Sequence, residues 1–183
     1  MTANGEDIWV FGYGSLMWDP GFRHEEAVPA LLEGYHRAFC IFSHQYRGTK
    51  EKPGLVLGLR PGGHCLGMAF RVAAADVPAA LDYLTDREMT TYVYTPKKLR
   101  VKVGSHYVEA QTYVADSTHP EYAGELTPEE TAALICRGLG QRGPNRDYLE
   151  NTVKHLEELG VDEPSLKLLC DIVRRLTEEG FSA

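Results

Sequence analysis

The sequence predicts a single α+β domain in which a β-rich first two-thirds is closed by C-terminal helices. Three observations carry that reading. Short apolar runs rich in β-branched and aromatic residues, bounded by Gly, Pro and polar clusters, recur from Ile8 to Ala115. From Thr127 onward the apolar residues recur at helical spacing instead. No internal repeat, low-complexity tract or linker interrupts the 183 residues, so residues 1–183 are read as one domain.

The run Ile8-Trp9-Val10-Phe11 is too short for a helix and suits a buried strand. It breaks at Gly12-Tyr13-Gly14-Ser15-Leu16, where two glycines allow a tight turn and close approach of a ligand to the main chain. Successive N–H groups in such a turn can converge on an anion as a nest. Ala30–Ser43 reads as a long strand, bent at Gly34, and the polar segment after it as a loop. Leu55–Arg60 and Cys65–Val72 read as two short strands joined by a hairpin-like turn at Pro61-Gly62-Gly63-His64. A helix is expected from Asp76 to Glu88, with Pro78 in its first turn and Val77, Leu81 and Leu84 on its buried face. Tyr92–Val103 and His106–Ala115 alternate as two strands joined at Gly104-Ser105, with one wet face. Thr127-Pro128-Glu129-Glu130 is a capping box. Two further helices end at Gly160 and Gly180 and are expected to pack back on the sheet.

Composition narrows the function. A formal net charge of −7 argues against non-specific nucleic-acid binding, which needs clustered Lys and Arg. No apolar run approaches the roughly 20 residues needed to span a bilayer, and the N-terminal stretch has no secretory pattern. A cytoplasmic protein without membrane or nucleic-acid partners is the expectation. Cys40, Cys65, Cys136 and Cys170 have no C-x-x-C spacing and suit a reduced compartment, Cys136 and Cys170 as core residues. The seven histidines are dispersed without metal-ligand spacing, so no metal is expected.

Among ionisable residues Glu88 stands out. In the last turn of its helix the macrodipole disfavours negative charge, and partial burial would raise its pKa toward the range of a neutral-pH general base. Arg87 opposes this, and a solvated helix-end carboxylate is the alternative. Ser15 follows a strand, but its surroundings lack the G-x-S-x-G of a nucleophile elbow, the P-loop pattern and the dinucleotide G-x-G-x-x-G. It reads as a hydrogen-bonding wall of the anion cradle rather than a nucleophile. Tyr13 lines the loop or fills the core. Tyr122, in Pro120-Glu121-Tyr122-Ala123-Gly124, covers a pocket or lies on a surface loop. Asn145, between Gly140 and Leu149, is read as the cap of the next helix.

Five segments in order, VFGYGSLMWDPGF, GYHRAFCIFSHQYRGT, PGLVLGL, YLTDRE and GQRGPNRDYLENT, resemble the ChaC family of glutathione-specific γ-glutamylcyclotransferases, over about Ile8 to Leu176. The resemblance implies the γ-glutamylcyclotransferase-like fold, a small β-barrel flanked by helices. It implies a lyase that splits the γ-glutamyl bond of glutathione into 5-oxoproline and cysteinylglycine. The substrate's own α-amine attacks its γ-amide carbonyl, so no metal, cofactor or enzyme nucleophile is required. Glu88 matches the family's glutamate. Tyr13, Gly14, Ser15 and Leu16 match its YGSL substrate loop, and Tyr122 falls where the family has a tyrosine near the pocket. The chain carries Thr91 before Tyr92 where many members have a glycine, beside the base. The other readings are a cyclotransferase for different γ-glutamyl amines or amino acids, and a γ-glutamyl-binding module without turnover.

Overall fold

The computed structural model describes residues 5–180. The first four residues of the stretch read for a secretory pattern lie outside that range. By its contacts the chain forms two compact units: Met1–Ala38 with Gly58–Asp116, and Phe39–Leu57 with Ser117–Ala183.

The first unit holds the barrel. Its strands are β1 (Ile8–Gly12), β2 (Glu26–Ser43), β3 (Gly54–Val72), β4 (Tyr94–Val103) and β5 (His106–Ala115), in the closed order β1-β3-β2-β4-β5. The far ends of β2 and β3 belong to the second unit. β1 runs antiparallel to β3, from Ile8 opposite Val72 to Gly12 opposite Met68. It closes the barrel by parallel pairing with β5 at Trp9–Ala110 and Val10–Gln111. β4 and β5 form the expected hairpin, with Val103 opposite His106 across Gly104-Ser105.

β3 differs from the expectation. Leu55–Arg60 and Cys65–Val72 are one continuous strand. Gly62 (φ 103°) and Gly63 (φ 70°) take left-handed conformations, but the chain does not reverse there. The physical reason is partnership: β3 has β1 on one side and β2 on the other, so its two halves have no need to pair with each other. His36 Nδ1 lies 2.9 Å from the Gly62 carbonyl oxygen, bringing β2 alongside the bend.

α1 (Val77–Glu88) follows a short 3-10 turn at Ala74–Asp76 and has Pro78 near its start, as expected. Val77, Ala80 and Leu84 pack with Val10, Phe70, Val72 and Tyr113 of β1, β3 and β5. Leu81 is only partly buried against the same cluster. One wet face therefore describes β4, whereas Thr112, Tyr113 and Val114 of β5 are all buried, Tyr113 because α1 lies over it.

The second unit contains α2 (Pro128–Arg137), a two-residue ladder of β6 (Leu139–Gly140) and β7 (Gly143–Pro144), α3 (Asn145–Glu158) and α4 (Pro164–Glu178). The capping box before α2 forms: Glu130 N–H donates to Thr127 Oγ1 at 3.1 Å, and Thr127 N–H donates to Glu130 Oε2 at 2.8 Å. Gly160 and Gly180, just past α3 and α4, have the positive φ of helix-terminating glycines. Leu149 and Leu156 of α3, Ala132 and Ile135 of α2, and Leu166, Leu169 and Val173 of α4 are buried, and the three helices pack on one another. α3 also reaches the sheet: the Phe39 and Tyr148 rings meet edge to face at 5.7 Å.

Asn145 does not cap α3. Pro144 occupies the cap position, and Asn145 is the first helical residue. Its buried amide instead accepts from Leu55 N–H and donates to the Leu55 carbonyl, each at 2.8 Å, mimicking a strand along β3. A preceding proline already sets the chain direction, so the side chain is available for the sheet. The four cysteines are buried and none forms a disulfide among the described residues. No helix among the described residues is long and apolar enough to cross a membrane.

Candidate active site

Where β1 ends, the chain folds sharply back on itself. A Cβ on Gly12 would lie 2.9 Å from Leu16 Cβ, so the turn needs the space a glycine leaves. Ser15–Met17 forms a single 3-10 turn, closed by Met17 N–H to the Gly14 carbonyl at 2.9 Å and extended by Asp19 N–H to the Ser15 carbonyl at 2.8 Å. No residue from Gly12 to Leu16 has a left-handed φ. The first amides of the 3-10 turn, at Ser15 and Leu16, have no partner within it. Tyr13 is buried and its hydroxyl donates to the Tyr113 carbonyl at 2.9 Å, which ties the turn to β5.

Glu88 is the last residue of α1, as the sequence reading placed it. Its side chain is 18% exposed, so it is neither sealed in nor solvated. Burial raises its pKa above the usual carboxylate value, against the opposing pull of the Arg87 guanidinium. Tyr113, from β5, feels that carboxylate. Its phenol is pushed up to about 12, first by burial and then by the Glu88 charge.

Arg87 connects the helix end to the turn. Nη2 donates to Ser15 Oγ at 2.7 Å, and Nη1 donates to the Asp19 carbonyl at 2.7 Å and to the Tyr83 hydroxyl at 2.9 Å. Nε lies 3.7 Å from Glu88 Oε1. The structure thus gathers Tyr13, Gly14, Ser15, Leu16 and Glu88 in the first unit. Tyr122 belongs to the second unit. There it bridges to Ile41, and the flanking bonds Phe42 N–H to Glu121 O and Ala123 N–H to Cys40 O fasten its turn to β2.

Sequence reasoning missed Tyr113 and Tyr83. Tyr83 had an available signal, because it precedes Arg87 by four residues and so shares its helix face. Tyr113 had none beyond being aromatic, since its burial depends on α1 crossing over β5. Just after Glu88, Tyr92 takes φ 57°, a left-handed conformation no other non-glycine residue adopts among the described residues, and its side chain is 71% exposed.

Comparison with known proteins places this arrangement. Residues 8–176 match the family described as ChaC-like protein. This chain belongs to the ChaC family. A ChaC relative from Escherichia coli (strain K12), named glutathione-specific γ-glutamylcyclotransferase, is 35% identical over 175 residues, covering 95% of this chain and 76% of the relative. One of the same name from Schizosaccharomyces pombe is 30% identical and covers 87% of each chain. The crystal structure of a yeast γ-glutamyl cyclotransferase specific to glutathione superposes with a TM-score of 0.84 at 21% identity, over 94% of this chain and 97% of that one. The ChaC fold expected from the sequence resemblance, a barrel with helices, is the fold found.

Proposed function

We propose that this ChaC protein is a glutathione-specific γ-glutamylcyclotransferase with Glu88 as its general acid and base. The observation that carries the reading is a largely buried carboxylate with a raised pKa, linked through Arg87 to the Ser15–Met17 turn, whose first amides have no partner within the turn. The names of its relatives supply the substrate.

The reaction needs little from the protein beyond placement and one proton carrier. The glutamyl α-amine attacks the γ-carbonyl of the same molecule. A new C–N bond closes the five-membered lactam while the old amide C–N bond breaks, giving 5-oxoproline and cysteinylglycine without water. Holding both ends of one molecule at attacking distance supplies much of the acceleration. Glu88 takes the proton the amine must lose and returns it to the departing cysteinyl nitrogen, which suits a carboxylate with a raised pKa. The Ser15 and Leu16 amides bind the glutamyl α-carboxylate or the oxygen that gains charge at the γ-carbon. Tyr13 supports that turn from below through Tyr113, and Gly14 leaves the backbone open to the ligand. Tyr122 enters the reading as a substrate-binding residue on the strength of the family resemblance. The scheme uses no cofactor, and four cysteines without C-x-x-C spacing suit a cytoplasmic home for the enzyme.

The test is mass spectrometry of purified protein with reduced glutathione, with Glu88→Gln in parallel. The expected result is equimolar 5-oxoproline and cysteinylglycine from the wild type and a loss of roughly 10²–10⁴-fold in the variant. Free glutamate would indicate hydrolysis and exclude cyclisation. Turnover of other γ-glutamyl amines in preference to glutathione would reassign the substrate, and glutathione binding without any product would mean a binding module.

A further inference from the structure

We propose that Arg87 is the positioning residue of this site: it anchors the Ser15 hydroxyl so that Ser15 donates to a substrate oxygen, and it links that anchor to the helix end bearing Glu88. The proposal rests on the reading of the site given above.

The Arg87 side chain is only 19% exposed, and its planar fork is well used. Two Nη1 hydrogens hold the Asp19 carbonyl and the Tyr83 hydroxyl, one Nη2 hydrogen holds Ser15 Oγ, and Nε faces Glu88. Tyr83 has a second neighbour besides Arg87. A Cβ on Gly21 would overlap the Tyr83 hydroxyl, so the phenol packs directly against that glycine. Arg87 therefore joins both ends of the segment Ser15–Asp19 to α1. A lysine could keep the charge but could not reach three acceptors from one planar group.

The polarity of the Arg87–Ser15 bond has a chemical consequence. Because Ser15 Oγ accepts from Arg87, its own O–H is left to donate, and the cation behind it favours an electron-rich partner. With the guanidinium cation beside it, Ser15 therefore favours a carboxylate or carbonyl oxygen of the substrate over the α-ammonium. That ammonium is left for Glu88, the group that must take its proton. The same arrangement removes Ser15 from consideration as a nucleophile, since its neighbour is a donor and not a base. The ionisable groups facing Glu88 are Arg87 and, from β5, Tyr113, while Tyr83 faces Arg87.

The experiment is steady-state kinetics of the full chain with glutathione across pH for wild type, Arg87→Lys, Arg87→Gln, Ser15→Ala and the double variant Arg87→Lys/Ser15→Ala. Arg87→Lys should raise KM by roughly tenfold or more, as charge-assisted hydrogen bonds are lost, with the acid limb of kcat/KM unmoved. Arg87→Gln should raise KM similarly and also move the acid limb to higher pH, because the cation that favours ionised Glu88 is gone. A purely structural arginine would not move that limb. In the double variant, Arg87→Lys should add less than about twofold to the Ser15→Ala defect, since Arg87 acts through Ser15. KM within twofold of wild type in Arg87→Lys, multiplicative losses in the double variant, or an unmoved limb in Arg87→Gln would each overturn the proposal. Thermal midpoints are measured alongside. If Arg87→Gln does not fold, Arg87→Lys and the double variant decide. Turnover by Glu88→Gln would overturn the base reading instead, and the KM and double-variant arms then judge the anchor by themselves.

Discussion

Replacing Asn145 with alanine should cost this protein about 3 kcal/mol of stability, more than most single changes outside its apolar core. Asn145 is 0% exposed and its amide makes a reciprocal pair with Leu55, accepting from the N–H and donating to the carbonyl at 2.8 Å each. Alanine leaves both Leu55 groups without that partner. Each orphaned buried backbone group costs about 1–3 kcal/mol, so the pair spans about 2–6 kcal/mol. The lower half applies if a water enters the space left by the amide. That space is tight: a Cβ on Gly138 would sit 2.7 Å from Asn145 Cβ, and one on Gly54 would sit 2.8 Å from Asn145 Oδ1. At about 2–4 °C per kcal/mol for a chain of this size, the melting midpoint should fall by about 6–12 °C. Differential scanning calorimetry and urea denaturation are the assays. Asn145→Asp is the control. It keeps an acceptor for the Leu55 N–H but turns an oxygen toward the Leu55 carbonyl and buries a charge, so at neutral pH it should be at least as damaging as alanine. A midpoint within about 3 °C of wild type for Asn145→Ala would refute the reasoning and mean that solvent replaces the amide at no cost.

Two further outcomes are expected. Gly12→Ala should destabilise by about 1–3 kcal/mol and raise KM for glutathione, because the new Cβ meets Leu16 Cβ at 2.9 Å and backbone of the same turn at 3.3 Å; unchanged kinetics in a folded variant would remove the turn from the binding site. Glu88→Gln should be more heat-stable than wild type at neutral pH. Burial raises the folded-state pKa of Glu88, so its contribution to stability is present below the ordinary glutamate pKa and is lost as pH rises through the raised value. The glutamine advantage should therefore vanish in acid, and wild type melting later than the variant at pH 8 would show that the Arg87 ion pair outweighs desolvation.

Much of the site was legible because it is local. Pro78 and the spacing of Val77, Leu81 and Leu84 place that carboxylate at a helix end without any tertiary information. The turn after Phe11 was legible for the same reason, although its internal geometry was not: glycine at Gly12 and Gly14 signals a need for space or for unusual dihedrals, and sequence does not say which. Gly12 needs space. The misread elements are those whose conformation is settled by a distant partner. Pro61-Gly62-Gly63-His64 has the composition of a hairpin, yet β3 runs straight through it because β1 and β2 flank the strand. Asn145 has the residue type of a helix cap, yet its amide is spent on Leu55, 90 positions earlier.

The sequence by itself determined the succession of strands and helices outside the long β3, the capping of α2, the family, and the placement of Glu88 and the Tyr13–Leu16 turn. These are short-range matters of dihedral preference, periodicity and motif order. Only the tertiary structure decided that the glutamate is buried enough for its pKa to rise, that its charge acts on the buried Tyr113, and that Arg87 turns away from solvent to hold Ser15, Asp19 and Tyr83 together. Burial and hydrogen-bond partnership depend on which elements the barrel brings side by side. Arg87 and Ser15 are 72 residues apart, and nothing in either neighbourhood encodes the other.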